Sequence, residues 1–268
     1  MPLKIEIEGS EAKVKSQHSE SSFSVGEFVQ AVACMQPTGL NKEPMPDCVR
    51  WKIDAFNSSI YVVELDPGLR AIRWIKDDSP APYGSKATYS DRSLATPFVT
   101  MVMVVRGGFI AHAEVFFRNQ KLKSLESKLF YPTLLNVSPD SYGCKVWMCT
   151  QYLETNPAWG INRTLQEVFM HLWGGGFNRS SEKHEGSSSF SLCKEKGIDE
   201  RVADVNRWEE ESKKDPNFVL KVSWLPVGET LKACIDRTIR ALGCNYVMNS
   251  SSGLGAAVVA HRNMEVLS

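Results

Sequence analysis

The 268-residue sequence contains no apolar run long enough to cross a bilayer. Its most hydrophobic stretch, FVTMVMVV at 98–105, falls well short of the ~20 residues such a helix needs. It also has no excess of charge: 31 Lys plus Arg balance 31 Asp plus Glu, so no global field favours nucleic acid or an anionic membrane. The opening MPLKIEIEG lacks the basic-then-apolar layout of an export signal. Neither GGG at 174–176 nor GLG at 253–255 has the strand-and-helix context of a phosphate-binding loop, and no internal repeat is evident. The cysteines number seven, an odd count without an export signal, which fits a reduced thiol set rather than a disulfide framework. The expectation is a cytoplasmic protein with no nucleic-acid or membrane partner.

What is present reads as strands first and helices later. LKIEIEG and AKVKSQ alternate and flank Gly9-Ser10, predicting a hairpin. Ser24 and Glu27 have capping-box spacing, and Phe28, Val29 and Val32 then share one face of a helix to about Met35, followed by a loop over 37–46. SSIYVVEL, LRAIRWI and TPFVTMVMVV read as strands, and Gly107-Gly108 as a turn into FIAHAEVFF, so an antiparallel meander is expected. FYPTLLNVSPDSYG reads as irregular, KVWMC as a short apolar run and ETNPAWGIN as a loop. A helix is predicted from the Thr164/Glu167 capping pair through Leu165, Val168, Phe169, Leu172 and Trp173, stopped by Gly174–Gly176. RSSEKHEGSSSFS at 179–191 reads as a mobile polar loop. DERVADVNRWEEESKK forms a second helix, and Leu231, Ile235, Ile239 and Leu242 mark a third.

The chemistry-bearing feature is YGCKVWMCT at 142–150, with Cys144 and Cys149 five positions apart. Structural zinc takes four ligands, and Cys193, His184 and His171 supply no second close pair. Both thiols could fill a core, since free cysteine is often buried. Alternatively one is a nucleophile, with Asn136 upstream as an amide donor for an oxyanion, or as an Asx-turn residue. Asp140 could orient or deprotonate an incoming amine, or cap the turn after Pro139. Ser141 and Thr150 are further nucleophile candidates, and His171 would serve a papain-like hydrolase; Trp159 reads as an anchor for its loop.

The order of these features resembles the E2 (ubiquitin-conjugating, UBC-like) superfamily. There an H-P-N segment precedes a G-x-[IV]-C strand, and a W-x-P-x-x-T loop opens the next helix. FYPTLLNV stands at the first place, and Trp159, Thr164, Leu165 and Val168 echo the loop and helix. The closer resemblance is to prokaryotic E2 family D, the PRTRC system protein B-like group. It is carried by LRAIRWIKDDSPAP, AEVFFRNQ…LFYPTLLNV, VFMHLWGGGFN and FVLKVSWLPVGETL, and extends to about residue 235. The His of H-P-N is absent here, with Tyr131-Pro132 nearby and Asn136 displaced from that proline.

The resemblance implies an α+β fold: a UBC-like four-stranded antiparallel meander flanked by helices. An N-terminal hairpin-helix and strand addition would occupy 1–90, the E2 core 91–235 and a C-terminal extension 236–268. It further implies an E2-type transferase in a bacterial ubiquitin-like pathway, with antiphage defence as one setting. A cysteine would take the modifier from an E1-like adenylating enzyme as a thioester and pass it to a target lysine, with no cofactor or metal. Cys149 is favoured over Cys144 because Met148 precedes it and its distance to Trp159 is family-like; Asn136 and Asp140 complete the implied site. The alternatives are a non-catalytic UBC-like binding module and a cysteine hydrolase.

Overall fold

The computed structural model describes residues 4–9, 11–15, 20–24 and 44–249. Its fold is α+β, with antiparallel sheets and several helices. Two compact units divide the chain: one takes in the N-terminal strands, Ile53–Ser59 and the chain from Ala233, the other Glu43–Lys52 and Ile60–Lys232. In the first unit, β1 (Lys4–Glu8), β2 (Glu11–Lys15) and β3 (Glu20–Ser24) form an antiparallel sheet in that order. The expected hairpin is present, with Gly9 at φ +59° in its turn, a left-handed conformation that glycine adopts without steric cost. The helix expected after Ser24, most of the 37–46 loop, and the glycine-punctuated segment after 250 lie outside the described residues.

The next strands are β4 (Val49–Ala55), β5 (Ser58–Leu65), β6 (Gly68–Ile75), β7 (Tyr89–Thr96), β8 (Phe98–Arg106) and β9 (Phe109–Arg118), all in the second unit except Ile53–Ala55 and Ser58-Ser59. The β8–β9 hairpin turns through Gly107-Gly108 as its sequence predicts, with Arg106 opposite Phe109. The strands do not form one consecutive meander, because the main sheet runs β4-β5-β8-β9 and the β6–β7 hairpin leaves it. Those two strands form a separate sheet, in which the short β13 (Gly176–Phe177) runs parallel to β6. The reason is aromatic: Trp74 at the end of β6 stacks on Phe177 at 5.8 Å and meets Phe190 edge-on at 5.1 Å. An expected boundary at 90/91 would fall inside β7.

β7 is polar in sequence and is held by a helix more than a hundred residues away. Trp208, fully buried, donates its indole N–H to the Ala95 carbonyl at 2.9 Å, and Ala95 N–H donates to Ser212 Oγ at 2.9 Å. Arg92 pairs with Glu209 on the same helix. β8, by contrast, is apolar on both faces because both are covered, with Val99 and Met101 to Met103 fully buried.

Three short strands follow: β10 (Lys128–Phe130), which ends as the stretch read as irregular begins, β11 (Val137–Pro139) inside that stretch, and β12 (Val146–Met148) in the apolar run after it. The last two pair with each other, β12 pairs with β9, and β10 links β9 to β14 (Pro226–Thr230). Helix α1 (Ile161–Gly174) starts one turn before the expected cap. Thr164 donates both its N–H and its hydroxyl back to the Gly160 carbonyl, and Glu167 pairs with Arg163 instead of capping. The glycines stop it where predicted, at Gly175.

The serine-rich 179–191 stretch is not a loop. It holds α2 (Ser180–His184) and the start of α3 (Ser189–Glu195). Ser188 caps α3 by accepting from Ser191 N–H at 3.1 Å and donates to Glu182 at 3.0 Å, while Phe190 packs on Trp74. The serines are ordered as caps and network members, so low apolar content is offset by satisfied hydrogen bonds. The predicted second helix is split by Asp204, the N-cap of α5 (Val205–Lys214), which comes after α4 (Glu200–Ala203). The third expected helix is α6 (Leu231–Asn249), with Leu231, Ile235, Ile239 and Leu242 buried; a boundary at 235/236 would fall inside it.

Candidate functional site: two thiols at the ends of one strand

β12 is three residues long and separates the two cysteines, with Cys144 before it and Cys149 after it. Neither forms a disulfide. Their surroundings differ in every respect that matters to chemistry.

Cys144 ends a tight connection from β11. Asp140, Tyr142 and Gly143 there all have positive φ (46°, 53° and 73°), and Cys144 N–H closes the turn on the Ser141 carbonyl at 2.9 Å. Two of those left-handed residues are not glycine, a local strain that the flanking pairing must hold. Cys144 is buried, 3% exposed, and the turn places its sulfur 3.4 Å from His112 Nε2 and 3.5 Å from its Nδ1. His112 comes from β9, where the register with β8 shifts between Val104, opposite His112, and Val105, opposite Ile110. That shift leaves Ala111 as a bulge, a device that re-aims neighbouring side chains.

Two residues on, and therefore on the same face of β9, is Glu114, whose side chain is fully buried. Its Oε2 accepts N–H bonds from Lys145 at 2.9 Å and Val146 at 3.2 Å, pinning the start of β12. Its Oε1 lies 3.3 Å from His112 Nε2. His112, Glu114 and Cys144 thus converge, with one ligand atom of each within 4.8 Å of the others.

Cys149 is half-buried at the other end of β12. Burial pushes its thiol pKa above the ordinary 9.0, and nearby Glu185 adds to the rise, with partial opposition from the Gln151 N–H. Its carbonyl accepts the Nε2–H of His171, 2.9 Å away on the last turn of α1. Three residues beyond, Tyr152 adopts φ +66° and is 88% exposed.

The remaining expected site residues are placed elsewhere. The Asn136 amide is occupied by β13 and its neighbour, donating to the Gly176 carbonyl at 2.9 Å and accepting from Asn178 N–H at 2.8 Å. It clamps the segment before β11 and faces neither sulfur as a donor. Asp140 is exposed and pairs with Lys145 of its own turn at 2.7 Å. Sequence reasoning misses His112 and Glu114. The available signal is a His and a Glu at i and i+2 within FIAHAEVFF, two polar residues on one face of an otherwise apolar strand.

Comparison of the chain with protein-family models, curated proteins and solved structures gives no match. Among the described residues, no helix is long and apolar enough to cross a membrane.

Proposed function

We propose that the protein is an E2-like acyl carrier, in which Cys149 accepts the C-terminal acyl group of a ubiquitin-like protein as a thioester. The observation that carries this reading is the contrast between the thiols: Cys149 is partly exposed beyond the end of β12, whereas Cys144 is buried against His112. The order β4-β5-β8-β9, then Asn136, β12, Cys149, the Trp159 loop and α1, adds support as an antiparallel four-strand core with a β6–β7 insertion. Loading is an exchange. The Cys149 thiolate attacks the carbonyl carbon of the thioester on an E1-like enzyme, and that enzyme's thiolate leaves. A target lysine amine then attacks the new thioester, expelling the Cys149 thiolate, which takes up a proton.

The raised thiol pKa suits a carrier. A more basic thiolate is a poorer leaving group, so the acyl group is held until a positioned amine arrives. His171 gives its Nε2–H to the Cys149 carbonyl, which removes that nitrogen from the role of base in a hydrolase. The test is incubation with an E1-like enzyme, its ubiquitin-like protein and ATP. A reductant-sensitive adduct that Cys149→Ala removes and Cys144→Ala retains is expected. Failure of the wild-type protein to accept acyl from a loaded E1-like enzyme sinks the proposal.

A further inference from the structure

We propose that His112, Glu114 and Cys144 form a site for a divalent transition cation, zinc by the chemistry of the donors. This site is separate from Cys149 and does not depend on the acyl-carrier reading.

Donor identity comes first. An imidazole, a carboxylate and a thiol together match the nitrogen, oxygen and sulfur donors that zinc accepts, and disfavour calcium or magnesium, which take oxygen alone. The spacing agrees. With metal bonds of about 2.0–2.1 Å to nitrogen, 2.3 Å to sulfur and 2.0–2.2 Å to oxygen, a tetrahedron has edges of about 3.4–3.6 Å. The observed Nε2–Sγ and Nε2–Oε1 separations are 3.4 and 3.3 Å.

The sulfur lies 3.4 and 3.5 Å from the two nitrogens of His112 and its thiol donates to the Tyr142 carbonyl at 3.5 Å, so ligation requires the imidazole to turn its Nε2 lone pair towards the cation and the thiol to give up that bond. The carboxylate is oriented as a ligand is. Both N–H bonds, from Lys145 and Val146, fall on Oε2, which directs Oε1 towards His112; such outer-shell bonds fix ligating carboxylates.

Finally, access is one-sided. Glu114 and Cys144 are buried while the His112 side chain is 23% exposed, so a cation enters past the imidazole, where water completes the coordination. Binding converts the Cys144 thiol to thiolate and releases its proton to solvent. The β9 bulge at Ala111 and the strained turn at 140–143 then have a shared purpose, bringing donors from two separate segments to one point.

Cobalt(II) serves as the probe, because a bound thiolate gives a charge-transfer absorption that unligated cobalt lacks. Chelator-treated full-length protein is titrated with cobalt alone and then with competing zinc. One cobalt per chain with that absorption, displaced by zinc, is expected. Cys149→Ala should leave it unchanged, Cys144→Ser should abolish it, and His112→Ala should weaken affinity by at least ~100-fold, since losing even an outer-shell partner costs up to about that much. His112 is partly exposed, so its variant should fold, and circular dichroism confirms that. Wild-type protein that shows no cobalt–thiolate absorption overturns the proposal, as does absorption that persists in Cys144→Ser or is lost in Cys149→Ala.

Discussion

His171 and Cys149 are joined by a single hydrogen bond, from the imidazole Nε2 to the main-chain carbonyl at 2.9 Å. It ties the last turn of α1 to the residue just past β12, and so sets where the half-exposed thiol sits. His171→Ala should cost about 1 kcal/mol of stability, the net worth of such a bond, read from the urea midpoint. If Cys149 is the acyl site, the same variant should load more slowly while His171→Gln, which retains a donor, recovers part of the rate. Equal loading by all three proteins would mean that the tether does not position the thiol.

The elevated pKa of Cys149 predicts its reactivity. The thiolate is the nucleophile, so alkylation of Cys149 by iodoacetamide should rise about tenfold per pH unit and show no plateau by pH 9. Mass spectrometry of the Cys149 peptide measures this directly. A plateau near pH 7 would show an activated thiol and contradict the burial argument.

Alkaline stability should fall for a related reason. Burial pushes Cys193 from 9.0 up to about 12, and burial first among several causes pushes Tyr131 from 10.0 to about 12. In each case the folded state holds a proton that the unfolded chain has already lost. The stabilisation is complete below the unfolded pKa and is lost as pH rises through the folded value, so the window is pH 9 to 12. Cys193 contributes a slope of at most about 1.4 kcal/mol per pH unit. Cys193→Ala should therefore flatten the decline measured by urea unfolding at successive pH values. An unchanged slope would remove Cys193 from the account.

Two adjacent glycines should differ in their tolerance of alanine. Gly107 has φ +56° with open space around it, so Gly107→Ala meets only the left-handed strain, about 1–2 kcal/mol. Gly108 has φ +83°, and a Cβ there would lie 2.4 Å from the Pro157 Cα, main chain against main chain. Gly108→Ala should cost at least ~1 kcal/mol more than its neighbour and displace the loop leading to α1. Thermal unfolding of the two variants decides it, and equal losses would show that the 156–160 loop yields freely.

Local patterns carry their own weight in the sequence. The Gly9 and Gly107-Gly108 turns, the alternating or continuous apolar strands, and the 3.6-residue stripe of α1 ended by glycine all report backbone preferences within a few residues. Errors arise where a distant partner overrides those preferences. YSDRSLAT carries no strand pattern to read, yet it is β7, where Trp208 and Ser212 satisfy Ala95. RSSEKHEGSSSFS becomes helical because Glu182, Ser188 and Ser191 bond to one another and Phe190 finds Trp74.

The same division runs through the two candidate sites. The sequence alone singles out Cys144 and Cys149 and the extended residues between them, because five positions of separation and an apolar run are local facts. Met148 and the distance to Trp159 favour Cys149 over Cys144, but do not show what each sulfur meets. Cys144 lies 32 positions from the imidazole it touches, and Asn136 lies 40 positions from the carbonyl that occupies its amide. Those pairings depend on a β-bulge, a strained turn and the register of β12 on β9, which arise from packing the whole sheet. Residue type determined which side chains could do chemistry; only the tertiary structure decided which were buried, paired or left open, because burial and long-range contact are not functions of neighbouring sequence.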